Sequence, residues 1–203
     1  MPRAPFQILV VPFRHVGDQL EFAVLRREDM NVWQAVAGGG EDNETPEQAA
    51  PREATEELGL DHPTPLYPLQ TTASVPARFF ADRIHWPAGT YVVPEYSFAI
   101  DLTGIEAAIS HEHTALEWRD YDTAHEVLRF DSNRTALSEL HERLLAIDLP
   151  HPVKSDRPCL LTPPPQDHVA RRYSARATSA SPWPSGPQTP ATAWWDSAPA
   201  TYA

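Results

Sequence analysis

Cysteine is nearly missing: Cys159 stands alone in 203 residues. No internal disulfide can form, which excludes a stapled secreted scaffold and makes a reducing cytoplasm the expected compartment. Long apolar runs are missing too. None approaches the ~18 residues a membrane helix requires, so no membrane partner is expected. The apolar start, Ala4 to Phe13, has no small-residue cleavage site and meets Arg14 and His15 at once, so it reads as a buried strand rather than a signal peptide. Glycine is scarce, at 8 residues, and positive charge is short: 16 Lys+Arg against 28 Asp+Glu give a net charge of −12. An acidic body is a poor partner for nucleic acid polymers, whose affinity comes from cations displacing counterions. If such a chain handles phosphates, it needs metal ions as intermediaries.

Proline is what the chain has in excess, 22 residues, half of them between Pro150 and Pro199. Residues 5–149 read as one α/β domain, and residues 151–203 as a Pro/Ser/Ala-rich tail that cannot bury enough apolar area to offset chain entropy and is expected to be disordered. Within the domain, Gln7 to Phe13 and Leu20 to Leu25 read as strands, and Val32 to Ala37 is a third apolar stretch running into Gly38-Gly39-Gly40. Thr45, Pro46 and Gln48 signal a capped helix start, and Gly59 its stop. Pro51 inside that helix predicts a local kink. Strands are expected at about 66–80, 91–101 and 115–119, with prolines marking bends or edges. A short helix at Thr123 to Leu128 and a last one at Arg134 to Ala146 follow, the latter with Leu137, Leu140, Leu144 and Leu145 as its apolar stripe, and Pro150 and Pro152 are expected to end the fold.

The chemistry concentrates in Gly38 to Leu60. Glu53, Glu56 and Glu57 are spaced i, i+3 and i+4, so their carboxylates leave one face of one helix. Two carboxylates about 6 Å apart at an effective dielectric near 20 repel by roughly 3 kcal/mol. A solvated acidic face tolerates that through screening by water. The triple glycine ahead of the helix, able to approach a phosphate closely, favours divalent cations as the compensation instead.

These residues resemble the Nudix box, G-x5-E-x7-R-E-U-x-E-E-x-G-U with U aliphatic. Gly38, Glu44, Arg52, Glu53, Ala54, Glu56, Glu57, Gly59 and Leu60 occupy its fixed positions, Ala54 being small for its place. Asn43 stands where many members carry a turn glycine. The resemblance implies an α/β Nudix fold, a mixed sheet sandwiched between helices, and hydrolysis of a nucleoside diphosphate linked to another group. By the same likeness, Glu53, Glu56 and Glu57, helped by the Gly38 carbonyl, would bind Mg²⁺ or Mn²⁺. Glu44 and Arg52 would pair to hold the loop. Glu56, Glu57 or Glu112 would accept the proton of the attacking water.

Trp33-Gln34, Val93 to Tyr96, Glu112-His113 with Trp118, and Asp131 to Arg134 are similar to the branch of (d)NTP and dihydroneopterin triphosphate pyrophosphatases. That likeness implies a small nucleotide-like substrate, a triphosphate cut to a monophosphate and pyrophosphate. Trp33, Gly39, Arg78 and Tyr96 are the expected substrate contacts. Phe79, Phe80, Trp86 and Tyr91 are better read as packing than as a base clamp. His111 and His113 offer too few ligands for zinc. A nucleotide-binding module without hydrolysis, or a hydrolase of ADP-sugars or dinucleoside polyphosphates, are the alternatives. Isomerase chemistry on isoprenoid diphosphates would call for a cysteine inside the domain, and Cys159 lies outside it. A monomer or homodimer is expected.

Overall fold

The structure is a computed structural model and describes residues 3–41, 43–62, 64–110 and 112–153. The expected tail beyond residue 153 and His111 lie outside the described residues. Strand β1 (Arg3–Val16) is the centre of a seven-stranded sheet. Its C-terminal part pairs antiparallel with β2 (Gln19–Arg27), and its N-terminal part with β4 (Val36–Glu41). On its other edge it pairs parallel with β6 (Val92–Asp101), which makes the sheet mixed. The short β3 (Trp33–Gln34) and β7 (His113–Arg119) pair with β2, and β5 (Leu66–Pro76) closes the far edge on β6.

Both faces of β1 are covered, which is why Ile8 to Val11 form an unbroken apolar run rather than an alternating one. Ile8 and Val10 pack under helix α1 (Pro46–Leu58) against Ala49, Ala50, Ala54 and Leu58. Leu9, Val11 and Phe13 pack on the opposite side against Ala124 of α2 (Tyr121–Val127) and Ala136, Leu137 and Leu140 of α3 (Asp131–Ala146). The mixed sheet therefore lies between helices. Alanine at positions 49, 50 and 54 lets α1 sit close to the strands, the packing reason for the small residue in the box.

Several local expectations need correction. The glycines are not a turn: Gly38 and Gly39 sit in β4, paired with Ile8 and Gln7. The strand expected to run to residue 80 ends at Pro76, its last partner being Val92, and residues 77–85 form two short 3-10 turns. Phe79 and Tyr91 are exposed rather than packed, whereas Phe80 and Trp86 do pack together against Val93. Leu145 is 67% exposed. At 100° per residue it lies about 80° around the helix from Leu137, while Leu144 lies only about 20° away and stays against the core. The chain does not leave the fold at Pro152, because the Val153 N–H donates to the Leu66 carbonyl at 2.7 Å. Helix α1 runs uninterrupted through Pro51.

Edge strand β5 carries Pro68 and Pro76, and its register shifts between Pro68 and Thr72. Glu139 of α3 closes the gap. Its carboxylate accepts from the N–H groups of Gln70 and Thr71, each at 2.7 Å, from Thr71 Oγ1 at 2.6 Å and from Arg143 Nε at 2.8 Å. Burial alone would raise the Glu139 pKa, but these hydrogen bonds hold it below the ordinary carboxylate value. A lowered folded pKa stabilises the fold above the unfolded value, and the contribution is lost as pH falls through the folded one. Glu139→Ala is therefore expected to cost about 2 kcal/mol near neutrality. Urea titrations should show the gap to wild type narrowing as the medium is acidified below the carboxylate range.

Candidate active site

Helix α1 begins at Thr45, whose N–H donates to Gln48 Oε1 at 2.9 Å, while the Gln48 N–H reaches the Thr45 carbonyl at 3.0 Å. It ends at Gly59, whose left-handed φ of 59° suits glycine. Between these stops, Glu53, Glu56 and Glu57 share one ridge but differ sharply in environment. Glu56 is exposed. Glu53 is largely covered, and its Oε1 accepts from the Gly39 N–H at 3.1 Å and from Arg52 Nη1 at 3.1 Å. Glu57 is 5% exposed, and its Oε2 has no hydrogen-bond partner among the described residues.

Arg52 organises the loop between β4 and α1. It grips Glu44 with two hydrogen bonds, 3.1 Å from Nε and 2.8 Å from Nη2, and Nη2 also donates to the Gly39 carbonyl at 2.8 Å. Nη1 lies between Glu53 and Glu56, 3.3 Å from Glu56 Oε2. With this cation between them, the three ridge carboxylates do not converge, and among the described residues no three acidic or imidazole groups form a ready-made cage. The glycines fit this packing closely. A Cβ at Gly38 would lie 2.0 Å from the Glu53 Cδ, and one at Gly40 would lie 2.2 Å from the Phe6 ring. Their scarcity elsewhere and clustering here follow from side chains resting on the strand.

Burial pushes the Glu57 pKa up to about 8, with the charges of Glu53 and Glu112 adding to it. Glu53 is also raised, chiefly by burial, with Arg52 pulling the other way. The ridge is thus short of positive charge at its buried end.

Residues 8–140 match the family model of the NUDIX domain. The chain belongs to the Nudix family. It is a Nudix hydrolase, and hydrolases of this family generally use divalent metal ions. Over 139 residues it is 30% identical to the dihydroneopterin triphosphate diphosphatase of Escherichia coli strain K12, covering 68% of this chain and 92% of that protein. A solved Nudix protein from Listeria monocytogenes is 47% identical, with a TM-score of 0.67 over 73% of this chain and 99% of its own. The structure of the Escherichia coli dihydroneopterin triphosphate pyrophosphohydrolase gives 29% identity and a TM-score of 0.54 over 67% and 94%.

The loop before β7 reaches the Nudix helix through its C-terminal carbonyls. The Ala108 N–H donates to the Leu58 carbonyl at 2.9 Å, and the Ser110 N–H to the Glu57 carbonyl at 3.2 Å. This docking brings exposed Glu112 near enough for its charge to act on Glu57. It also buries His113, whose Nε2 lies 3.6 Å from Glu57 Oε2. Burial lowers the His113 pKa. The His-x-His spacing marked this residue in the sequence, but nothing in it tied His113 to the glutamate ridge.

The expected substrate contacts do not gather in one place. Trp33 packs at the margin of the core under α2 and α3, with the guanidinium groups of Arg26 and Arg119 5.9 and 5.5 Å from its ring centre. Tyr96 lies on the opposite face, against the α1 core, with its ring 6.4 Å from Phe6. The two cannot clamp one ring together. Arg78 is exposed in the first 3-10 turn, 4.9 Å over the ring of Phe79. No helix among the described residues is long and apolar enough to cross a membrane.

Proposed function

We propose that this Nudix hydrolase is a metal-dependent pyrophosphohydrolase that cuts a nucleoside or pterin triphosphate to the monophosphate and pyrophosphate. The observation that carries the reading is the buried, unpartnered Glu57 oxygen on a ridge with Glu53 and Glu56. An all-carboxylate donor set suits a hard cation, Mg²⁺ or Mn²⁺, and the raised Glu57 pKa marks the place where positive charge is wanted. Glu53, Glu56 and Glu57, with the Gly38 carbonyl, would hold it. When bound, such an ion supplies charge neutralisation at the phosphate oxygens and a more acidic water.

The chain's own residues do the rest. Arg52 and Glu44 fix the loop to the helix, so the Gly39 peptide keeps a constant position beside the phosphates. Water forms a new P–O bond as the bond to the bridging oxygen breaks, and pyrophosphate leaves with that oxygen. The proton lost by water passes to a carboxylate of the group Glu56, Glu57 and Glu112, of which exposed Glu56 and Glu112 can hand it to solvent. Trp33 offers a ring face for stacking. The triphosphate choice draws support from the Escherichia coli relative, whose name specifies that substrate class.

Incubation of a nucleotide panel in ¹⁸O water, followed by mass analysis, tests this reading. Triphosphates should give unlabelled pyrophosphate and a monophosphate that carries one heavy oxygen per cleavage. Release of AMP from ADP-ribose with no turnover of any triphosphate would contradict the substrate class.

A further inference from the structure

The sheet face turned away from α1 is apolar at both ends of β6. Ala99 lies in the core under α3, and Val93 packs with Ala77 and Trp86. Between them, on the same face by strand alternation, stand Glu95 and Ser97, each 3% exposed. Glu95 Oε2 accepts from Gln7 Nε2 at 3.1 Å, but Glu95 Oε1 and Ser97 Oγ have no hydrogen-bond partner among the described residues. Burial raises the Glu95 pKa, opposed by side-chain hydrogen bonds from Ser132 and Gln7 to its carboxylate. Leaving a carboxylate oxygen and a hydroxyl buried and unpaired is costly, and an apolar pair would continue the face without that cost.

Their register gives them a use. Gly39, Gln7 and Glu95 form one row across β4, β1 and β6, and Ala37, Leu9 and Ser97 form the next. Two strand spacings, about 10 Å, separate the Glu95 backbone from Gly39, whose own N–H and carbonyl are held by Glu53 and Arg52. Gln7 and Ala37 are only partly buried, whereas Gly39 is buried, with the Arg3 guanidinium lying against it and donating to Gln7 Oε1 at 3.3 Å. Trp33 belongs to the same face.

We propose that Glu95 and Ser97 read the ring of the substrate, and that this ring carries the 2-amino-4-oxopyrimidine edge shared by guanine and pterins. The inference rests on the triphosphate reading above and narrows it. An ionised carboxylate only accepts hydrogen bonds, and this edge presents a ring N–H and an amino group side by side as donors. Adenine sets a lone-pair nitrogen beside its amino group, which a carboxylate repels. The Ser97 hydroxyl, able to donate or accept, can meet whichever neighbouring ring atom the pose brings. A site built to hydrogen-bond one edge rejects a ring lacking it more strongly than an apolar slot can.

Calorimetric titration of guanosine monophosphate, neopterin and adenosine monophosphate into the full chain, with chelator present, tests this without relying on turnover. Wild type should bind the first two at least about tenfold tighter than the third. Glu95→Gln should abolish that preference at an unchanged or higher melting temperature, and Ser97→Ala should reduce it. Equal affinities in wild type, no binding of any of the three, or a Glu95→Gln loss spread evenly over all ligands would overturn the proposal. A ring preference in a protein that cleaves no triphosphate would sink the proposed reaction and leave this site standing. Triphosphate cleavage without ring preference would do the reverse.

Discussion

Glu57→Gln is expected to lower turnover by at least about two orders of magnitude while making the metal-free protein more stable at pH 8. The two effects share one cause. Burial and the nearby Glu53 and Glu112 carboxylates hold the Glu57 pKa at about 8, well above the ordinary value of 4.5. Between these values the folded state keeps a proton that the unfolded chain has released. Stability of the metal-free protein therefore falls as pH rises across that window. Glutamine keeps the shape and removes the charge, so the fall should shrink by an amount of the order of a few kcal/mol. Thermal melts of both proteins in chelator at pH 5 and pH 8 measure it. A variant with near-normal turnover would remove Glu57 from the catalytic group.

Gly38→Ala should separate activity from stability in a different way. Its Cβ would lie 2.0 to 2.4 Å from the Glu53 carboxylate atoms, so that carboxylate must move. A carboxylate is the mobile end of a flexible side chain, so the fold should lose little, while the ridge loses the position of one of the proposed cation ligands. We expect kcat/KM to fall by about tenfold or more, with the melting temperature within a few degrees of wild type. Gly40→Ala is the contrast. There the Cβ meets the Phe6 ring at 2.2 Å, inside the core, and the loss should appear in stability. If the two substitutions behaved alike in both measurements, Gly38 would have no special tie to Glu53.

The glutamate ridge was legible because its spacing lies within one helix, where local geometry decides which side chains share a face. The helix stops were legible for the same reason. Sequence gives the freedom of the glycines to approach a phosphate but not their neighbours; in the fold they are strand residues cleared for Glu53, Arg3 and Phe6. Sequence offers Trp33 and Tyr96 alike as substrate contacts but does not say which face each takes, and a sheet covered on both sides buries them against different cores. Glu95 and Ser97 were invisible as a pair for that reason also. Glu112 comes near Glu57 through backbone hydrogen bonds of the 108–113 loop, which no side-chain pattern announces.

Calorimetric titration of Mn²⁺ into wild type and Glu57→Gln at pH 7, with and without a nonhydrolysable triphosphate, puts the glutamate ridge most directly to the test. The wild-type protein should take up the ion and release close to one proton, because Glu57 must give up the one it holds. The variant should bind more weakly and without that release. No uptake by the wild-type protein, whether or not nucleotide is present, would contradict the ridge as the seat of the ion.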